Sequence, residues 1–258
     1  MWKIFHRSIS SLSNDLVRKR LKIYLEKKNY IDELSQSLPR IKSNRKASIL
    51  LPIYCNEITN RVEILLLKRS DKVRSHAGMI VFPGGIQDLT DRDAIHTAER
   101  ETEEEIGLKS TSYSILGCLP PITDSRAVMI TPVVALLHSQ KFMKFHLAID
   151  EVADAFYLDL EPFLYRKNNY KMFEVGDHFV THHFDIDKYH IWGVTAFEII
   201  VLATIIFQKL PEFPFFRHGQ QLNLKLLTEQ LKIHFQWCVD YRKKSEIKSE
   251  LDGINRMQ

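Results

Sequence analysis

One stretch, FPGGIQDLTDRDAIHTAERETEEEIGL from Phe82 to Leu108, constrains the chain more than any other, because a double-glycine turn runs into a short helix loaded with carboxylates. Strong helix formers run from Ala94 to Ile106 without Pro or Gly, and Gly107 supplies a stop. Asp91 opens an acidic turn ahead of them. Glu101, Glu104 and Glu105 stand at i, i+3 and i+4, so the spacing predicts three carboxylates on one helix face. Like charges at that spacing repel, and hard cations such as Mg²⁺ or Mn²⁺ relieve the repulsion when oxygen ligands hold them. The competing reading is a solvated acidic helix face. Two neighbours weigh toward a site: Gly84-Gly85 lets backbone approach a ligand, and Arg100 can grip a carboxylate with two parallel hydrogen bonds, fixing the helix to its loop.

Composition excludes several classes. The 258 residues suffice for a large single core, and the apolar and charged fractions are those of a globular protein. A net charge of +4, from 36 basic against 32 acidic residues, favours anionic small ligands but gives no argument for nucleic acid, and no nucleic-acid partner is expected. Cys55, Cys118 and Cys238 are odd in number and widely spaced, so neither a disulfide framework nor a zinc site is implied, and a reducing compartment is expected.

The acidic stretch resembles the signature of the Nudix hydrolases: G, five residues, E, seven residues, then R-E-U-x-E-E-x-G-U with U apolar. Arg100 to Leu108 fits the second half, except that Thr102 stands where an apolar residue is the rule. The first half departs, with Asp91 in place of Glu and eight residues rather than seven before Arg100, as one extra loop residue would produce. Upstream, Leu65-Leu66, Arg69-Ser70, Arg74, Gly78 and Phe82-Pro83-Gly84-Gly85 fit the spacing of the motif of coenzyme A pyrophosphatases within that family, with Leu67 where a Thr is frequent. Ile191 to Ala196 looks like a late block of the same subgroup.

The resemblance implies an α/β Nudix fold, an α/β/α sandwich around a mixed sheet, and metal-dependent hydrolysis of the diphosphate of coenzyme A or acyl-CoA to 3′,5′-ADP and a 4′-phosphopantetheine product. Glu101, Glu104 and Glu105 are the expected metal ligands, with Mg²⁺ or Mn²⁺ as cofactor. Arg100 orients the cluster, Glu101, Glu104 or Glu151 serves the chemistry, and Arg69, Arg74, Gly84 and Gly85 meet the substrate. The alternatives are another nucleoside diphosphate derivative, such as ADP-ribose or an RNA cap, and a Nudix-fold binding module without catalysis.

Residues 1–45 read as a basic extension, 46–210 as the Nudix hydrolase domain and 211–258 as a C-terminal helical extension. Met1 to Tyr24 carries Lys3, His6, Arg7, Arg18, Lys19, Arg20 and Lys22 against the single acid Asp15, with four serines, and resembles a mitochondrial transit segment. The alternative, a cytoplasmic protein, makes it a helix of the folded domain, lined by Leu16, Val17, Leu21 and Ile23; both readings hold if cleavage precedes Asp15. Arg256-Met257-Gln258 does not match the peroxisomal Ser-Lys-Leu address.

Ala47–Tyr54 and Val62–Lys68 are apolar runs of strand length that predict a hairpin, and the loop beyond carries Arg74 and His76, the latter read as a polar loop residue. Strands are expected over Ser112–Leu119, Met129–Leu137 and Ala155–Leu160, and a second hairpin joins Lys171–Val175 to His178–Phe184 through Gly176-Asp177. Asp150-Glu151-Val152 reads either as an acidic loop assisting the site or as a helix-starting turn. Ile191–Phe207 is nearly continuous in apolar residues, but Thr195, Glu198 and Thr204 favour a buried core helix over a membrane span. Leu222–Val239 has helical spacing, and no tract of low complexity or internal repeat is present.

Overall fold

β-Branched and aliphatic residues drive the first two strands, β1 (Lys46–Asn56) and β2 (Arg61–Arg69), into the expected antiparallel hairpin, paired from Ile53–Ile64 to Asn56–Arg61. Away from their turn the two strands diverge, and the gap is filled by β3 (Ile80–Val81) on β2 and β4 (Gly84–Ile86) on β1. Phe82, buried, anchors this wedge, and Leu50 donates its N–H to Pro83 O at 2.8 Å. The glycine turn is therefore built into the splay of the sheet. The computed structural model describes residues 12–25, 45–73, 75–124, 126, 128–138, 144–166, 170–175, 179–234, 236–238 and 240.

The sheet is mixed. β7 (Met129–Leu137) runs parallel to β1, while β5 (Tyr113–Cys118), the short β6 (Ile122–Thr123) and β8 (Val152–Asp159, on β2) pair antiparallel. A second, three-stranded sheet contains β9 (Tyr170–Val175), β10 (Phe179–Ile186) and β11 (Tyr189–Trp192).

Alternation along the strands sends side chains to two cores. Leu50, Leu65, Leu67 and Val133 face α2 (Ala94–Ile106) through Ala98 and Ile106. Leu51, Ile53, Ile64 and Leu66 face the opposite layer, made by α1 (Asn14–Leu25), α3 (Gly193–Phe207) and the smaller sheet. The α/β/α arrangement expected from the sequence is present. Residues from Thr195 through Ile206 are all buried, which gives α3 the character of a core helix; among the described residues no helix is long and apolar enough to cross a membrane. Helix α3 begins at Gly193 rather than Ile191, because Tyr189–Trp192 pairs with β10 first. Past Pro211, the chain returns Phe213, Phe215, Leu222, Leu227 and Leu231 to the core that α1 also enters, with 227–234 helical.

Candidate active site

Helix α2 starts at Asp93, whose Oδ1 accepts the His96 N–H at 2.8 Å, and stops at Gly107, whose φ of 69° lets its N–H reach Glu103 O. This frame decides where each carboxylate goes. Thr97, Ala98, Thr102, Glu105 and Ile106 are buried against the sheet. Thr102, the departure from the apolar rule, stays buried because its hydroxyl donates to Ala98 O at 2.6 Å, so no polar atom is stranded.

Glu105 is the buried member of the cluster at 3% exposure. Its Oε2 accepts the Gly84 N–H at 3.0 Å, and Arg69 Nη1 lies 3.6 Å from Oε1. Burial pushes its pKa up to about 7; the Gly84 hydrogen bond and the Arg69 charge oppose that shift, and Glu101 and Glu151 add to it. Glu101 is half-buried, and its pKa is also raised, first by burial, with Arg100 pulling the other way. The Glu101 carboxylate lies directly on the glycine turn: a Cβ on Gly85 would come within 2.4 Å of its carboxyl carbon. At Gly84, φ is +147° and a Cβ would stand 2.2 Å from Ser48 O, so the close approach to β1 requires glycine. Glu104 is the outward member, tied to Arg100 Nη1 at 3.0 Å.

Arg100 bridges α2 and the loop that precedes it. Its Nε and Nη2 donate to the two oxygens of Asp91 at 3.0 and 2.9 Å, its Nη2 also reaches Ile86 O, and Glu101 Oε1 lies 3.1 Å away. The guanidinium holds the Asp91 carboxyl well below the usual carboxylate range. Asp91, standing where the family signature has Glu, thus reaches Arg100 across a loop one residue longer.

Glu151 lies in the turn before β8, with Ser70 N–H bonded to its carbonyl at 2.8 Å. Its carboxylate is exposed, raises the pKa values of both Glu101 and Glu105, and has no ion-pair partner among the described residues. The structure thus brings together Arg69, Gly84, Gly85, Arg100, Glu101, Glu104, Glu105 and Glu151. Arg74 lies outside the described residues. His76 stays in the loop at φ 59°, beside Ser75. Asp93 escaped the sequence reading as the helix cap, although Asp at that position is the ordinary signal.

Among the described residues no three His, Cys, Asp or Glu side chains form a ready-made cage for a cation. Arg100 takes Glu104 and part of Glu101 instead. The donor set nevertheless suits a hard dication, since every group is a carboxylate oxygen and burial together with mutual repulsion leaves Glu101 and Glu105 short of positive charge.

An α/β/α sandwich whose splayed strands deliver a glycine turn to an acidic, arginine-locked helix defines a hydrolase of the Nudix class. The NUDIX domain model matches residues 50–182, and the chain belongs to that family. It is similar to an uncharacterized Nudix hydrolase, NudL, of Pectobacterium atrosepticum, 35% identical over 174 residues that make up 66% of this chain and 88% of that protein. The NudL of Photorhabdus laumondii is 36% identical over 164 residues, 62% of this chain and 84% of the relative. Among solved structures, a C. elegans Ap4A hydrolase in binary complex aligns at 22% identity over 45% of this chain and 80% of its own, with a TM-score of 0.38. Family and relatives make the chain a Nudix hydrolase, a family that generally uses divalent metal ions.

Proposed function

We propose that this hydrolase cleaves the diphosphate of coenzyme A or an acyl-CoA, with Mg²⁺ or Mn²⁺, releasing 3′,5′-ADP and the corresponding 4′-phosphopantetheine. One observation carries the reading: Arg69 and Gly84, both from the upstream motif that resembles coenzyme A pyrophosphatases, hold the two oxygens of Glu105 from the Nudix signature. The two motifs act as one physical unit. A diphosphate resists water chiefly because its negative oxygens repel the nucleophile. When bound, a divalent ion supplies charge neutralisation and lowers the pKa of coordinated water. Glu101 and Glu105, side by side on the Gly84-Gly85 turn, would hold it, with Glu104 joining on release from Arg100.

The remaining tasks fall to the chain's own groups. Arg100 keeps α2 locked to the loop through Asp91, so the carboxylates stay in place while charge moves. Exposed and unpaired, Glu151 is the proposed acceptor of the water's proton, with Glu101 as the alternative. Arg69 sets the charge on Glu105 and stands within reach of a phosphate oxygen drawn to the same cluster.

The test is a product assay on the purified protein with coenzyme A, acetyl-CoA, ADP-ribose and capped RNA, each with Mg²⁺ or Mn²⁺. Formation of 3′,5′-ADP as the fastest reaction supports the proposal. Faster cleavage of ADP-ribose or capped RNA would retain the hydrolase and reject this substrate.

A further inference from the structure

Consecutive residues of a strand point to opposite faces, so Arg69 and Lys68, adjacent at the end of β2, serve different sides of the sheet. Arg69 turns to Glu105. Lys68 turns to the other face, where a pocket of about 400 Å³ opens between β2, the start of β8 and the β10–β11 turn, lined by Lys68, Ile80, Asp154, Lys188, Tyr189 and His190 among others. That volume falls in the range of small-ligand sites.

Two features make the pocket a place for an anion. Lys68 is half-buried and has no ion-pair or hydrogen-bond partner among the described residues, although Asp154 is its cross-strand neighbour in register. Asp154 is engaged elsewhere: its Oδ2 accepts the Tyr189 hydroxyl at 2.9 Å and lies 3.7 Å from Lys188 Nζ. The pocket therefore has two ammonium groups for one carboxylate that is already hydrogen-bonded. His190 offers the pocket no free nitrogen, since its two are occupied by Asp185 and His183 at 2.6 and 3.0 Å. The wall is firm, because Tyr189 stacks face to face on Phe156 with centroids 3.6 Å apart.

The pocket and the acidic site share their supports. Lys68 precedes Arg69 on β2, Asp154 follows Glu151 by three residues at the start of β8, and Gly78, which also lines the pocket, lies on the loop that enters β3 and the glycine turn. Neighbouring residues of the same two strands thus line the pocket and the acidic site.

We propose that this pocket binds a phosphate monoester carried by the nucleotide half of the substrate, with Lys68 and Lys188 as its donors. The inference deepens the coenzyme A reading and rests on it for the identity of the group, a ribose 3′-phosphate. A dianionic monoester matches two ammonium groups, and Arg69, drawn to Glu105, is left to the shared diphosphate.

The test uses the full chain and two probes, adenosine 3′,5′-bisphosphate and adenosine 5′-monophosphate, titrated calorimetrically into wild type, Lys68→Gln and Lys188→Gln. Wild type should bind the bisphosphate roughly ten- to a hundredfold more tightly, and Lys68→Gln should bring the two within about threefold, with Lys188→Gln losing a smaller part. Unchanged binding of the monophosphate shows that the variants remain folded. Equal affinity for both probes in wild type, or a preference that survives both substitutions, overturns the proposal. Turnover of coenzyme A against dephospho-coenzyme A separates the two readings. If coenzyme A is hydrolysed and Lys68→Gln leaves that ratio unaltered, the pocket assignment fails and the reaction stands. If coenzyme A is not a substrate while the bisphosphate preference depends on Lys68, the reaction fails and the pocket stands.

Discussion

Glu105 carries the sharpest consequences at the scale of single residues, because it is buried and the proposed reaction needs it as an anion. Glu105→Gln keeps the size of the side chain and an acceptor for the Gly84 N–H, but removes the charge; steady-state assays should show activity falling by roughly a hundredfold or more with the fold retained. Its raised pKa also sets a direction for stability. Between the ordinary carboxylate pKa of 4.5 and about 7, the folded chain holds a proton on Glu105 that the unfolded chain has released, so without metal this group makes stability fall as pH rises through that window. The groups facing it are Arg69 from β2, Glu101 from α2 and Glu151 from the turn before β8. Thermal melts without metal should therefore place Glu105→Gln above wild type at pH 8 and close to it at pH 4, the difference being on the order of 3 kcal/mol at full ionisation. A gap that does not shrink on acidification would show that Glu105 is not the strained group. Arg69→Ala should weaken coenzyme A and dephospho-coenzyme A turnover alike, since it removes the counter-charge of Glu105; a loss confined to coenzyme A would move the 3′-phosphate from Lys68 to Arg69.

At the scale of elements, the glycine turn and α2 form a pair whose spacing is set by the missing Cβ of Gly85. Gly85→Ala would drive the Glu101 carboxylate off the turn, and kinetics should show at least a tenfold loss in kcat, with a melting temperature near that of wild type because Glu101 is partly solvent-exposed and can move. Unaltered kcat would mean that Glu101 does not act from this position. This pairing was legible in the sequence, since periodicity, the Gly107 stop and the spacing from Gly84-Gly85 to Arg100 were all local signals, and the hairpin of β1 and β2 was equally clear from its apolar runs. Other elements left no local trace. β3 and β4 have two and three residues and exist only because β1 and β2 splay. β11 was hidden because Ile191-Trp192 continues the apolar run of α3, and only its pairing with β10 separates them. Lys188 and Tyr189 carry no signal in the sequence; their place beside Lys68 follows from long-range packing, which no window of sequence contains.

On the scale of the whole molecule, the basic N-terminal helix belongs to the same core as α3 and the returning C-terminal segment. Val17, Leu21 and Leu25 are buried, Arg20 donates to the Ile206 carbonyl at the end of α3, and Leu25 sits over Gly117, where a Cβ would come 3.2 Å from its own. The sequence had offered the helix as part of the domain and the leading residues as a mitochondrial address, and the boundary between the two now has a physical limit. Any cleavage compatible with this packing must leave Ser13, whose carbonyl accepts the Val17 N–H and whose Oγ accepts that of Leu16. Removing residues 1–11 spares every contact of α1 named above, and the melting temperature should stay within about 2 °C of the full chain. Removing residues 1–25 takes away three buried aliphatic side chains and exposes the core residues they cover, and Leu21→Ala alone should cost roughly 2–5 kcal/mol, a large share of the stability of an ordinary domain. Denaturant titration of the three variants measures this directly, and a stable, active protein lacking residues 1–25 would detach α1 from the fold. For the address itself, proposed to lie within the first dozen residues, the reporter is residues 1–12 fused to a fluorescent protein. Mitochondrial accumulation supports it, whereas a diffuse signal alongside an unstable truncation at residue 25 assigns the basic character of this segment to the helix alone.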